Sequence, residues 1–213
     1  MAVRPFFFVS NIGKVQCKDV EFEWFPGFSM AQKKRCVSSM HEKIRKLGYA
    51  PLEISTKSSL PLGVKLSAFS LKLEGVYLEN VFQSSKMFEN GGPYLDLLEI
   101  SPKEAKRDER LRTSGKLIGF YYKGKVWKLT PATAFYDWIY IQAVKESLCS
   151  DELKRLKEYS AFTDIEFNPQ KSINTQARSV ALLQTLLTID GIIPKWDERN
   201  FLEYHKKIMT YSK

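Results

Sequence analysis

The residues best suited to chemistry lie in one short stretch, ENVFQSSKMF at positions 79–88. If this stretch is a helix, Glu79, Gln83 and Lys86 fall in one arc, because their spacings are i, i+4 and i+7. Apolar side chains such as Phe82 would flank that arc. A carboxylate, an amide and an amine enclosed in this way predict either the wall of a pocket or a solvated stripe on a surface helix.

Two further places put carboxylates among apolar neighbours. Asp137 lies within FYDWIY, next to Trp138, where an acidic side chain must be paired or functional. Asp164 and Glu166 are two residues apart in AFTDIEF, so on a strand they would point to the same face. Each has a structural alternative: Asp137 could bond a neighbouring group, and the other pair could be solvated on an edge strand.

The composition excludes several kinds of chemistry. The three cysteines have no CxxC spacing and there are only two histidines, so neither a zinc site nor a Ser-His-Asp triad is indicated. We therefore expect no metal and no cofactor, and carboxylates and lysines must carry any reaction. The first apolar run is too short for a signal peptide and no segment is long enough to span a membrane, so we expect a cytoplasmic protein.

The chain carries a net charge of +9, from 33 Lys and Arg against 24 Asp and Glu. This excess favours phosphorylated or polyanionic partners, and solubility is an equally simple explanation. One helix face is strongly basic; its cations are Lys33, Lys34, Arg35, Lys43, Arg45 and Lys46. This helix at 33–46 could contact nucleic-acid phosphates.

The elements that would position these residues alternate along the chain. Alternating or apolar patterns predict strands at 4–10, 18–25 and 161–167, and a hairpin around KGK at 123–125. Periodic patterns and caps predict helices from Ser29 to Gly48, from the SPKE capping box to about Leu111, and at 130–144, 150–159, 176–190 and 197–208.

This order predicts an α+β fold with a mostly helical core, short strands and a hairpin. We expect residues 1–60 to form a strand-helix extension packed on a domain at 61–213, so that the whole chain is one globular unit.

Residues 65–88, KLSAFSLKLEGVYLENVFQSSKMF, resemble the opening signature of the NADAR superfamily, the YbiA-like proteins. There, a Leu-Ser-Asn-Phe stretch precedes a short strand, a glycine turn and a helix bearing Glu-His, Gln and Lys-Phe. Leu66, Ser67, Phe69 and Gly75 match the stretch and the turn.

Two later segments are also similar to the family. ISPKEAKRDERL at 100–111 resembles its Ser-Pro-x-x-Ala helix with a trailing Arg, and residues 161–183 resemble a strand and helix start that would align Glu166 and Asn174. Ala68 stands where the family has Asn and Asn80 where it has His, so the chain resembles a divergent member.

The resemblance implies ADP-ribose chemistry, since characterised members hydrolyse N-glycosidic bonds in ribosylamino or ADP-ribosyl compounds and their helix lysine is a proposed covalent catalyst. It implies Lys86, Glu79 and Glu166 as catalytic residues lining one pocket. Desolvation by neighbours such as Phe82 would lower the pKa of Lys86, so that neutral amine can attack an opened sugar while Glu79 shuttles its proton.

Substrate binding is expected from nine residues, the arginines among them because a guanidinium matches phosphate oxygens. They are Gln83, Phe69, Asp137, Trp138, Asp164, Asn174, Arg107, Arg110 and Arg178. The expected function is an N-glycosidase for an ADP-ribosyl or ribosylamino nucleotide, which includes removal of ADP-ribose from modified nucleobases.

Two other functions stay open from the sequence. The chain could bind ADP-ribose or another nucleotide without catalysis, or it could bind nucleic acid through the basic helix at 33–46. For the N-glycosidase and for the non-catalytic binder alike, the bound compound could be a free nucleotide or a modified nucleic acid.

Overall fold

The computed structural model describes residues 1–170, 172–189 and 193–209, with α-helices and strands interspersed in chain order. The strands are β1 (Ala2–Val9), β2 (Val15–Phe22), β3 (Pro51–Glu53), β4 (Lys72–Leu73), β5 (Val76–Tyr77), β6 (Lys86–Phe88), β7 (Leu117–Tyr122), β8 (Lys125–Trp127) and β9 (Ala161–Thr163). The helices are α1 (Met30–Lys46), α2 (Pro61–Lys65), α3 (Leu78–Ser84), α4 (Pro102–Arg107), α5 (Arg110–Thr113), α6 (Ala134–Ser147), α7 (Ser150–Leu156), α8 (Gln176–Ile189) and α9 (Glu198–Ile208), with a 3-10 helix at Leu95–Leu98. This mixture confirms the predicted α+β fold.

The chain divides into two compact units. The first unit is Met1–Ser67 with Leu148–Lys213, and the second is Ala68–Ser147. The predicted boundary at residue 60 marks where a family-like domain begins, which is a different property from a division into compact units. That boundary stays a prediction. In the part of the chain that the structure describes, no helix has the length and apolar character needed to cross a membrane.

The first unit is built on a sheet with the strand order β2-β1-β9-β3. β1 and β2 form an antiparallel hairpin, β9 pairs with β1 antiparallel, and β3 runs parallel to β9. Glu53 and Thr163 are therefore partners at the carboxyl ends of two neighbouring parallel strands.

Helix α1 packs on one face of this sheet. Phe6, Val20 and Phe22 from the hairpin bury their side chains with Met40 and Ile44 of the helix. Each such side chain, moved fully out of water, contributes roughly 1.5–3 kcal/mol. This packing leaves the opposite face of α1 exposed.

The second unit contains the three-stranded sheet β6-β7-β8 and the short β4-β5 hairpin, together with α3, α4, α5 and α6. Stacked aromatic rings join its elements: Phe120 of β7 lies 4.6 Å from Phe135 of α6 and 5.6 Å from Phe82 of α3, measured between ring centroids. α3 thus packs against both the sheet and α6.

Several local predictions are confirmed. Ser29 caps α1 by accepting a hydrogen bond from the Gln32 N–H, and Ser101 and Glu104 form the predicted capping box of α4. The KGK turn joins β7 to β8. The helix from SPKE is shorter than predicted, since α4 ends at Arg107 and a separate α5 follows it.

Candidate functional site

The stretch that suggested chemistry is a helix followed by a strand. α3 covers Leu78–Ser84, and Lys86–Phe88 is β6, in which Lys86 pairs with Phe120 of β7. The prediction that Glu79, Gln83 and Lys86 share one helical arc is therefore wrong.

Two serines account for where the helix ends. The hydroxyls of Ser84 and Ser85 both donate to the carbonyl oxygen of Val81, at 3.1 and 2.7 Å, and such local bonds compete with helix continuation. The carbonyl of Ser85 then accepts the Tyr121 N–H at 2.7 Å, so the chain leaves the helix by joining the sheet.

Glu79 and Gln83 remain neighbours on α3, as their i, i+4 spacing requires. Both are 5% exposed, and Gln83 Nε2 donates to Glu79 Oε1 at 2.8 Å. Gln83 Oε1 is buried and has no hydrogen-bond partner among residues 1–170, 172–189 and 193–209. An orphaned acceptor costs about 1–3 kcal/mol, so this amide is poised to accept a donor from a ligand.

Lys86 is a largely desolvated amine. Its Nζ lies 4.8 Å from the centroid of the Phe82 ring, and no carboxylate of the described ranges lies within 4.0 Å of it. Burial lowers the pKa of Lys86 to about 8, against the opposing charge of Glu79 and with a contribution from Lys106. The sequence predicted that desolvation would lower this pKa, and the structure agrees in both direction and cause.

Lys106 is a residue of this cluster that the sequence motifs did not indicate. Its Nζ lies 3.8 Å from Glu79 Oε1 and 5.0 Å from the centroid of the Phe69 ring. It sits on α4, whose start is fixed by the capping box at Ser101, and it is 56% exposed. The motif indicated instead its neighbour Arg107, which is exposed.

Asn80, which stands where the family has histidine, has a structural role. It is 1% exposed, and its Nδ2 donates to the carbonyl oxygens of Leu97 and Ile100 at 2.7 and 2.8 Å. This amide therefore ties α3 to the 3-10 helix.

The other predicted residues of the second unit lie on several elements. Asp137 of α6 is fully buried and accepts a hydrogen bond from Thr133 Oγ1 at 2.8 Å, while Trp138 packs at 5.9 Å from Trp127 between ring centroids. Arg110 is paired with two carboxylates.

The Arg110 pairing competes with phosphate binding. Its Nη2 lies 2.5 Å from Asp96 Oδ2 and 2.9 Å from Asp108 Oδ2, and its guanidinium carbon lies 4.5 Å from the Tyr94 ring centroid. These contacts hold the pKa values of both aspartates below their usual range. A phosphate at Arg110 would have to displace them.

The remaining predicted residues belong to the first unit. β9 ends at Thr163, and the Glu166 N–H donates to Asp164 Oδ1 at 3.1 Å in a turn, so the prediction of one strand face for the two carboxylates is wrong. An aspartate that bonds the backbone two residues on favours a turn over a strand. Glu166 is 46% exposed and pairs with Lys33 at 3.4 Å.

Asn174 and Arg178 retain buried polar atoms. Within the described part of the chain, Asn174 Oδ1 and Arg178 Nε and Nη2 have no hydrogen-bond partner. Buried guanidinium donors without acceptors suit an anionic ligand. The predicted convergence of Glu166 with Glu79 and Lys86 on one pocket stays a prediction.

No cluster of three or more His, Cys, Asp or Glu side chains suited to a metal ion occurs among the residues that the structure describes. The cluster around Glu79 in the second unit offers an amine with a lowered pKa, a buried carboxylate and an amide.

Comparison with known families places the chain among proteins associated with ADP-ribosyl groups. A model of the NADAR-DarT1 family, described as DarT1-associated NADAR antitoxin, matches residues 2–213. The chain belongs to this family, and the match confirms the NADAR resemblance. A comparison with curated proteins found no match. Family membership indicates a function related to ADP-ribosyl groups.

Proposed function

We propose that the protein is an N-glycosidase that hydrolyses the bond between an ADP-ribosyl group and a nucleobase, with Lys86 as the nucleophile. The observation that carries this proposal is the largely buried Lys86 amine, whose pKa of about 8 leaves roughly a tenth of it neutral at pH 7. A neutral amine without a carboxylate partner is available to attack an electrophilic carbon.

The reaction follows from the groups around Lys86. The Lys86 nitrogen bonds to the anomeric carbon, and the bond from that carbon to the base nitrogen breaks. Glu79 takes the proton released by the attacking amine and gives it to the departing base nitrogen. The sugar ring then opens as the bond from the anomeric carbon to the ring oxygen breaks, and that oxygen takes the second proton of the Lys86 nitrogen, which leaves an imine. Water hydrolyses the imine, which frees ADP-ribose and returns the lysine.

Gln83 and Lys106 support this chemistry from either side of Glu79. The unpartnered Gln83 Oε1 would accept a hydrogen bond from a sugar hydroxyl or a base amine. Lys106, whose Nζ lies 3.8 Å from Glu79 Oε1, disfavours a second ammonium at Lys86. Binding by Phe69, Asp137, Trp138 and Arg107 stays a prediction.

The family description supports a modified nucleobase as the substrate. An antitoxin counteracts a toxin, and removal of an ADP-ribosyl group from a modified nucleobase would be one way to do so. We therefore favour a nucleic acid carrying that modification over a free nucleotide.

Imine trapping tests the proposal. The protein is incubated with ADP-ribosylated oligonucleotides and N-ribosyl metabolites, and products are identified by mass spectrometry with and without borohydride. We expect a reduced adduct that adds the sugar-phosphate mass at Lys86. Lys86→Ala should lower turnover about 10³-fold with an unchanged melting temperature, whereas Lys103→Ala, an exposed lysine of α4, should leave turnover unchanged.

The other outcomes are distinct. Cleavage without any adduct would contradict the lysine nucleophile and leave water activated by a carboxylate. Nucleotide binding without release of base from any substrate would support the non-catalytic alternative instead.

A further inference from the structure

The exposed face of α1 is an unusual concentration of positive charge. The helix has six cationic residues and one acidic residue, Glu42, which is paired with Lys46 at 2.7 Å. Lys33 is paired with Glu166. The remaining four cations have no carboxylate partner among the described residues: they are Lys34, Arg35, Lys43 and Arg45.

The helix repeat arranges these cations in rows. Lys34 and Arg45 are eleven residues apart, which places them about 20° apart around the helix and about 16 Å apart along it. Arg35 and Lys46 are also eleven residues apart and form a second row, shifted by one residue from the first. All four are exposed, so the rows lie on the solvent side of the helix.

Aromatic rings adjoin the start of these rows. The loop WFPGF at 24–28 leads directly into the Ser29 cap, and Phe28 at its end is 100% exposed. The guanidinium carbon of Arg35 lies 4.0 Å from the centroid of the Phe25 ring. A fully exposed phenylalanine, in the same loop as a ring that stacks on an arginine, is suited to stacking with planar groups.

We propose that this basic aromatic surface, formed by Phe25, Phe28, Lys34, Arg35 and Arg45, binds a single strand of nucleic acid. Cations that have no carboxylate partner match the phosphates of the strand, and a base can stack on the exposed Phe28 ring. The rings favour a nucleic acid over an acidic protein, and they favour a single strand because bases stacked within a duplex have no free faces.

This inference rests on the proposed function only for its choice of nucleic acid as partner, since a base modified within a strand brings flanking nucleotides with it. The surface would hold unmodified nucleotides and take no part in bond cleavage. Its variants should therefore change strand binding and leave cleavage of a small ADP-ribosyl nucleoside unchanged.

The test is fluorescence anisotropy with an unmodified single-stranded oligonucleotide across a salt series. Lys34→Gln/Arg45→Gln should weaken binding about 10-fold at low salt and lower the slope of log affinity against log salt by about 1.4, for two phosphate contacts. Phe28→Ala should weaken binding about fivefold or more without changing that slope.

Lys206→Gln/Lys207→Gln provides the matched control. It removes the same two charges from an exposed position on α9 and should bind like the parent protein. Equal weakening by this control, no effect of Phe28→Ala, or equally tight binding of a polyglutamate of the same charge would each overturn the proposal.

The two proposals fail in different ways. Loss of strand binding in the surface variants with intact nucleoside cleavage would support the binding surface. Intact strand binding without cleavage of any substrate would count against the proposed function alone.

Discussion

Lys86 differs from an exposed lysine through its neighbours rather than through its own chemistry. The Phe82 ring and the surrounding protein remove water from the amine, and this desolvation is the largest influence on its pKa. Glu79 opposes the shift and Lys106 reinforces it. The amine therefore titrates much closer to neutral pH than an exposed lysine does.

A pH profile tests this arrangement. In the proposed mechanism the neutral amine is the nucleophile, so kcat/KM for an ADP-ribosylated substrate should rise about tenfold per unit of pH below the pKa of Lys86 and level off above about 8. A profile that is flat between pH 6 and pH 9 would contradict a titrating lysine nucleophile.

Lys106 is expected to set the position of that profile. In Lys106→Gln the cation is lost and Glu79 is left to stabilise the Lys86 ammonium, so the rising limb should move to higher pH. Lys106→Arg keeps the charge and should restore the original limb. If Lys106→Gln lowers turnover equally at every pH, then Lys106 binds substrate or supports the structure instead.

At the level of elements, the end of α3 and the pairing of β6 with β7 together position the Lys86 amine. The segment that follows β6 passes close to the backbone of Lys86: Gly92 has φ of +79°, and a Cβ at that position would overlap the carbonyl oxygen of Lys86. Gly124, in the turn between β7 and β8, has the same φ of +79°. Apart from its chain neighbours, no heavy atom of the described residues lies within 4 Å of the position that a Cβ on Gly124 would take. Substitutions at these two glycines therefore share the cost of backbone strain, and only the one at Gly92 adds a steric overlap.

Gly92→Ala and Gly124→Ala should therefore differ. Gly124→Ala carries only the strain of a left-handed backbone, about 1 kcal/mol of unfolding free energy, with turnover unchanged. Gly92→Ala adds the overlap with Lys86, so we expect a loss of about 3 kcal/mol and reduced turnover in the folded protein. Urea unfolding and steady-state kinetics measure both effects. Equal losses in the two variants would mean that the overlap is relieved without moving β6.

At the level of the molecule, the first unit contains a buried polar network between its parallel strands and α1. Thr163 Oγ1 donates to Glu53 Oε2 at 2.6 Å and contacts His41 Nε2 at 2.8 Å, which requires His41 to carry its proton on Nε2. Burial raises the pKa of Glu53, and burial lowers the pKa of His41 to about 3. The folded protein therefore keeps this histidine neutral.

Acid should destabilise the fold through His41. Its pKa is lower in the folded than in the unfolded chain, where it is about 6.5, so between those values only the unfolded chain binds the proton and stability falls as pH falls. This group contributes a loss of about 2 kcal/mol between pH 6.5 and pH 5. Urea unfolding of His41→Gln, which keeps a side-chain N–H donor, should show a shallower decline over that range. An identical decline would assign acid sensitivity to other groups, because Glu53 is common to both proteins.

Local chemistry was sufficient to predict many elements of this fold. The alternation in KDVEFEWF, the Ser29 cap and the SPKE box depend on interactions within a few residues, and each is found in the structure. Spacing also predicted that Glu79 and Gln83 would be adjacent on one helix, which their hydrogen bond confirms. Element ends were less predictable, since serine and aspartate side chains redirected the chain at Ser85 and Asp164.

The surroundings of Lys86 depended on contacts between distant parts of the chain. The helical period placed this residue on the wrong element, because pairing with β7, more than thirty residues later, draws it into a strand. Lys106 reaches Glu79 through the packing of α4 against α3, and no local pattern encodes that distance. Residue types and their order thus specified which groups could react, whereas the desolvation and charges that tune the amine come from tertiary packing, since both depend on atoms remote in sequence.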